Sequence, residues 1–459
     1  MLGPIYPTLV QRFVVSPNEL SAEWPYIVHN IAFTRYGFAL NDIQEFDFPA
    51  QGQLTAEVVE ANRATVNNIR LWDWRPLLTT YGQLQEIRLY YTFNDVDVDR
   101  YLIDGELRQV MLAARELDVD QLAAQAQTWV NRHLVFTHGY GICMSPVNEI
   151  SPEGLPRLLI RDIPPRSADP ALEITQPEIY FGEVMSNYAI VGTTEREFNR
   201  PSGDENVYTR YEGPDGVALD GLWRRIAFAL RFDSSQILVS RAIGPQSRIL
   251  FHRQLADRAQ TLAPILWYDP DPYPVIVDGR LVWLYDAYTW SDRFPYSELF
   301  WGVNYIRNSV KVTIDAYTGE TVFYVVDADD PIIRTYQAIF PALFTPGEGM
   351  PQTLREHWRY PEQLFRIQAD AYAAYHMDDP QVFYNKEDLW ATPTEVRETG
   401  EQQMSPYYVI MRLPGQEQVE FMLIRPYVPN GRRNMIAWLY ADSDGDDYGQ
   451  LGIFKFPKE

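Results

Sequence analysis

Asp95-Val96-Asp97-Val98-Asp99-Arg100-Tyr101-Leu102-Ile103-Asp104-Gly105-Glu106-Leu107-Arg108-Gln109-Val110-Met111-Leu112-Ala113-Ala114 is the stretch on which the fold turns. From Ile87 onward side chains alternate with a period near two, and Asp104-Gly105 separates runs 98–103 and 107–114. Asp-Gly between two alternating runs signals a two-residue hairpin, because both turn positions take φ > 0. The same signal recurs at Asp278-Gly279, between 274–277 and 281–288, and at Thr318-Gly319, between 310–316 and 321–326. Further strands are expected at 134–136, 179–184 and 188–193, and at 407–413, 419–424, 434–440 and 450–456 near the C-terminus.

Helices surround these strands. Ser16-Pro17-Asn18-Glu19 has capping-box spacing with Pro at the first helical position. Pro25 opens a second run over 26–40. Periodicity near 3.6 predicts helices over 55–67, 76–85, 119–132, 222–232, 247–262, 331–340 and 361–376. Strands and helices alternate in groups and not as βαβ units, so the expected class is α+β, multi-domain, with antiparallel hairpins and meanders carrying packed helices. The organisation expected is a mainly helical segment 1–86, an α+β domain 87–163, a mixed segment 164–270, a double-hairpin α+β domain 271–345, and helices followed by a β-rich segment 346–459.

Composition narrows the function classes. The 459 residues include 39 Lys+Arg against 62 Asp+Glu, a formal net charge of −23. Such a field repels phosphate backbones and anionic lipid head groups, which argues against nucleic-acid partners. One cysteine, Cys143, forbids an internal disulfide. No window reaches the roughly 18 apolar residues of a bilayer span. Thirty Tyr and 12 Trp are a surplus of rigid, polar-tipped contact area, suited to a core of short strands or to ligand surfaces.

The acidic run holds the sharpest chemical pattern. Asp95, Asp97 and Asp99 occupy positions one, three and five of a calcium loop, and Glu106 falls at twelve. Calcium is the candidate cofactor. Arg100 stands at position six, where that loop needs Gly, and alternation with Val96 and Val98 equally fits a half-buried strand with Asp97, Asp99 and Tyr101 on one face. Those carboxylates then need cations, calcium or arginines such as Arg88 and Arg108. A second acidic group, Asp442, Asp444, Asp446 and Asp447 around Gly445, reads as a solvated turn. Asp327, Asp329 and Asp330 precede Pro331 at a helix start, where the dipole favours carboxylates.

No His-x-x-x-His, Cys-x-x-Cys, Gly-x-Ser-x-Gly or phosphate-loop pattern is present. His138, in the Gly-rich turn with Tyr140, is the histidine to test for acid–base work, against a structural role bonding the turn backbone. Trp72 and Trp74 flank Asp73, an aromatic–acid pattern that suits sugar binding as well as packing. The candidate binding residues are therefore Trp72, Trp74, His138 and Tyr140.

Several segments carry a family resemblance: Asn68-Ile69-Arg70-Leu71-Trp72-Asp73, Asp97 to Tyr101, Arg108 to Leu117, Thr137-His138-Gly139-Tyr140-Gly141, Ser145-Pro146-Val147-Asn148, Asn304 to Lys311 and Tyr360-Pro361-Glu362. Together they resemble an uncharacterised protein family, number 0182, whose bacterial members place several membrane helices ahead of a large extracytoplasmic region. The resemblance implies that 1–13 follow a membrane helix, that the native protein continues past Glu459, and that this chain is a soluble portion at the extracytoplasmic face of the cell membrane. It implies a partner, the membrane-embedded segment of the same protein, and it supplies no established activity or catalytic residue to carry over. Separately, 312–320 locally resembles the terminal hairpin of PepSY-type extracytoplasmic domains. The expected role is a non-catalytic binding or assembly module, with an envelope polymer or a protein as partner. The rival is a carboxylate-dependent hydrolase of envelope polymers, stabilised by calcium.

Overall fold

The computed structural model describes residues 5–49, 52, 54–203, 205–397, 400–416 and 418–457. Met1–Pro4 and Glu459, where junctions to further segments are expected, lie outside them. Helix α1 (Glu19–Gly37), strand β1 (Gln44–Asp47) and helix α2 (Trp74–Gln85) come first. A sheet of β2 (Asp97–Ile103), β3 (Glu106–Ala114) and β4 (Ile142–Pro146) follows, extended by the short pair Ile160–Arg161 and Arg166–Ser167. Asp104 and Gly105 both have positive φ, as the two-residue turn between β2 and β3 requires.

A small helical outcrop, α3 (Leu222–Arg231) and α4 (Gln236–Val239), precedes the second large sheet. That sheet runs β5 (Trp267–Tyr268), β7 (Arg280–Ser291), β8 (Tyr305–Asp315), β9 (Thr321–Val325), β10 (Phe344–Pro346), with β6 (Tyr273–Val277) also paired to β7. Helix α5 (Glu362–Tyr375) leads to the third sheet, in which β11 (Tyr407–Met411), β12 (Glu420–Pro429), β13 (Ala437–Asp442) and β14 (Leu451–Lys455) form an antiparallel meander. β1 joins β14 in parallel, so the N-terminal part of the chain closes the C-terminal sheet.

The chain is α+β, and its three large sheets stack. Val110, Leu112, Ile142 and Met144 of the first sheet share a core with Trp283, Tyr285, Val310 and Val312 of the second. Val98, Met111, Ala113 and Cys143, on the opposite face, share another with Ile410, Leu423 and Leu439 of the third, and with Leu364 and Phe365 of α5. The β2–β4 sheet is thus a middle layer buried on both faces. A half-buried strand, the expectation for 97–103, is therefore corrected: Asp97, Asp99 and Tyr101 do share one face, but that face lies inside the protein. Among the described residues no helix is long and apolar enough to cross a membrane.

Five local expectations change. The helix over 119–132 is instead short turns at Val119–Gln121 and Ala124–Ala126, and the strand over 134–136 is a helical turn, Asn131–Val135. Polar side chains explain the break, because Gln127 donates to the carbonyls of Asp120 and Leu122, and Asn131 to that of Ala126. The helix over 247–262 begins only at Leu255, since Arg248–Leu250 pairs as a strand with Ala189–Val191 and His252 takes a positive φ. Ser16 is not a helix start: the chain is already helical before it, and its hydroxyl donates back to Gln11. Pro25 lies within α1, where the carbonyl it leaves without a donor belongs to exposed Ser21.

Candidate functional site

Where the three layers meet, a cleft of about 640 Å³ opens. The start of β2 supplies Asp95 and Asp97, and the link from β5 to β6 supplies Trp267, Asp269 and Asp271. The first turns of α2 and α5 contribute Trp74, Arg75 and Glu362. Asp73 caps α2 by accepting from the Arg75 amide at 3.0 Å, which sets Trp74 at the first helical position and turns it to the cleft wall.

Arg359 organises the floor. Its Nη2 lies 2.7 Å from Asp271 Oδ2 and 3.2 Å from Asp97 Oδ1, and its Nη1 donates to the Val98 carbonyl at 3.2 Å. The guanidinium stacks over Tyr273 at 3.8 Å and faces Tyr408 at 5.3 Å. Burial alone would lower its pKa, but Asp271, Tyr408 and Asp97 together raise it, so the group stays charged. Beneath it, Lys311 bridges the layers, pairing with Asp286 at 2.7 Å and donating to the Arg359 carbonyl at 2.9 Å.

Acid exceeds base around this cation. Burial first, then Asp271, pushes Asp95 up to about 7. Burial, then Asp271 and Asp286, does the same to Asp269, whose carboxylate takes the Tyr288 hydroxyl proton in a hydrogen bond. Asp97 is raised by burial and by Asp95, and its Oδ1 accepts no hydrogen bond among the described residues. The group continues inward to Glu183, raised by burial and Asp95, and to Glu116, pushed up to about 7 by burial. Burial and mutual repulsion thus act in one direction across the set and favour the protonated carboxyl.

The residues expected from sequence divide. Trp74 lines the cleft, while Trp72 sends its indole N–H to the Glu149 carbonyl at 2.9 Å. His138 is buried elsewhere, 4.7 Å from the Tyr180 ring, and neither ring nitrogen has a partner among the described residues. Burial and Arg253 push its pKa down to about 3, so it stays neutral; bonding to the turn backbone, the structural role considered for it, is absent. Tyr140 is buried on a short strand paired with Glu178–Ile179. Asp95 and Asp97 reach the cleft, Asp99 turns to His357 at 2.7 Å, and Glu106 is exposed opposite Ile103 at the hairpin turn. The one-three-five-twelve spacing falls on a hairpin and not on a loop, and among the described residues no three His, Cys, Asp or Glu side chains converge to hold a metal. The cations that serve the acids are Arg359 and Arg100; Arg108 pairs with Glu149 instead, and Arg88 donates to the Ile87 and Gly203 carbonyls.

The profile of an Uncharacterised protein family, UPF0182, matches this sequence over residues 1–459. The chain belongs to that family. A UPF0182 protein of Pelotomaculum thermopropionicum is 52% identical over 460 residues, covering 100% of this chain and 50% of the relative. A relative in Trichodesmium erythraeum is 48% identical over 479 residues, covering 100% and 52%, and one in Cupriavidus necator is 51% identical over 466 residues, covering 100% and 51%. The chain spans about half the length of these curated relatives. No solved structure matches it.

In this UPF0182 chain, sequence reasoning missed Arg359, Trp267, Asp269, Asp271, Trp301 and Tyr407 as cleft residues. One signal was available: Trp267-Tyr268-Asp269-Pro270-Asp271 repeats the aromatic–acid pattern of Trp72-Asp73-Trp74. Arg359 adjoins the family-like Tyr360-Pro361-Glu362, but nothing local ties it to Asp97. Cys143 is the core residue its apolar context suggests, with burial pushing its thiol up to about 12.

Proposed function

We propose that this chain is the extracytoplasmic ligand-binding module of a membrane protein, and that its cleft takes a polyhydroxylated ligand such as a stretch of envelope polysaccharide. The observation that carries the reading is the lining: Trp74, Trp267, Trp301 and Tyr407 stand beside carboxylates and guanidiniums in one recess of about 640 Å³. Indole and phenol faces pack against the apolar C–H faces of sugar rings. Asp73, Arg75, Glu362 and Arg366 offer acceptors and donors to the hydroxyls. The volume is that of a small-molecule site, sufficient for a few sugar units. Membrane attachment and extracytoplasmic placement are supported by the family resemblance, and the remaining half of the relatives' length leaves room for membrane helices.

Calorimetry of the chain against soluble fragments of envelope polysaccharides tests this. Trp74→Ala and Trp267→Ala are expected to weaken binding at least about tenfold, the equivalent of 1.4 kcal/mol. A folded chain that binds none of the fragments would sink the reading.

One observation favours a second reading, the carboxylate-dependent hydrolase. Asp95 and Asp269 are held up to about 7, so each can carry a transferable proton at neutral pH beside ionisable neighbours. Release of reducing ends that Asp95→Asn abolishes while leaving fragment binding intact would select it. Binding without any turnover would leave the cleft a binding site.

A further inference from the structure

We propose that the outward face of α3, with the end of α4, seats on an anionic bilayer surface. The inference rests on the membrane placement proposed above but not on the cleft's ligand. Leu222, Trp223, Ile226, Ala227 and Leu230 occupy one side of α3, while Phe228, Ala229 and Phe232 on the other pack into a small core with Ile237, Ile243 and Ile249. The outward side is open: Trp223 is 81% exposed, Leu230 79% and Leu222 68%, and Val239 on α4 adds a residue 75% exposed. Large apolar residues grouped at such exposure mark an interaction surface.

Charge selects the occupant. From 220 to 241 four arginines (Arg224, Arg225, Arg231, Arg241) stand against two aspartates (Asp220, Asp233), a local positive excess in a chain of net charge −23. Arg225 is occupied internally, donating to the carbonyls of Leu219 and Ile243, and it pins the helix to its base. Arg224, paired with Asp220 at 3.0 Å, and Arg231, stacked at 5.4 Å over Phe251, border the apolar stripe, and Arg241 is exposed beyond α4. Leu and Trp on one side with Arg along the border is the pattern of a helix lying in the headgroup region of an anionic membrane. The net charge of −23 opposes both an anionic bilayer and a second copy at long range, so the contact itself decides: a second copy seated on this face would set the arginine border against its own image, whereas lipid phosphates offer it the complementary sign.

Sedimentation of the chain with vesicles of phosphatidylcholine alone, or with phosphatidylglycerol at about one lipid in three, tests the proposal. Binding to the mixed vesicles is expected, weakened by added salt and reduced at least about tenfold by Leu230→Glu and by Trp223→Ala. Leu89→Glu, a change at an exposed leucine outside this helix, is expected to leave it unaltered. Absence of vesicle binding, or binding that Leu230→Glu does not change, overturns the proposal. So does self-association in sizing experiments that Leu230→Glu abolishes, which would make the face an interface between copies. Polysaccharide-fragment binding measured on the same samples separates the two readings: its loss in the unsubstituted chain refutes the cleft's ligand and leaves the membrane seat standing.

Discussion

Strand β2 feeds two buried arginines, and they are built differently. Arg100 is closed in: its guanidinium reaches the Trp358 carbonyl at 2.6 Å, the Ser443 carbonyl at 3.1 Å and Asp444 at 2.8 Å, with Asp99 at 3.6 Å and the Phe421 ring at 4.8 Å. Asp99 in turn takes His357, and Asp444 accepts the Phe421 amide at 2.6 Å. Arg359 opens onto the cleft with more acid around it than one cation neutralises. The first is a clasp between sheets, balanced and saturated. The second is a floor whose surplus carboxylates hold protons and face a space that a ligand can fill. Satisfied burial of charge marks structure here, and unsatisfied burial marks the site.

Removing each cation should separate the two. Arg100→Ala leaves Asp99 and Asp444 without their shared partner, and breaking a buried pair costs about 3–5 kcal/mol, read as a lowered midpoint of urea unfolding. Arg359→Ala should cost about half of that at pH 6, because Asp95 and Asp97 can take up protons in place of the cation. An equal or larger loss for Arg359→Ala would mean that the floor is as rigidly balanced as the clasp.

A smaller effect tests the protons themselves. Asp269 holds its proton up to about 7, whereas an unfolded aspartate loses it near 4. Between those values the folded chain binds more protons than the unfolded one, so this group makes stability fall as pH rises through that window. Thermal melts should show the midpoint dropping from pH 5.5 to 8, with Asp269→Asn flattening the drop and raising stability at pH 8 by about 1–3 kcal/mol. Glu45 and Glu149 act oppositely: their lowered values, set by lysine and arginine partners that outweigh burial, contribute stability that is lost as pH falls below about 4.5. The smallest expected effect is that of calcium. Millimolar calcium added to chelator-treated chain should leave the melting midpoint in place, since Asp97 and Asp99 already face Arg359 and Arg100; a calcium-specific rise that Asp97→Asn removes would reverse that assignment.

Much of the fold was legible, and the reason is local. Asp104-Gly105 and Asp278-Gly279 take the positive φ values that make them hairpin turns, and Asp330 caps the helix Pro331–Ile339 by accepting from two of its amides. Turns and caps rest on residues within a few positions of each other, so they are written in the chain. The second acidic group shows the limit. Its reading as a solvated turn fails because Asp442 is buried and Asp444 meets Arg100, a residue 344 positions away.

What the sequence by itself determined is the α+β class, the hairpins, most of the helices, the acidic balance and the family. What only the tertiary structure decided is which acids matter. Alternation along 95–101 shows that Asp97 and Asp99 share a face, but not that a second sheet covers it. Arg359 comes from 262 positions beyond Asp97, and Trp267 and Asp271 from another layer again. Charge pairing and burial depend on distance in space, and that distance is set when the three sheets stack.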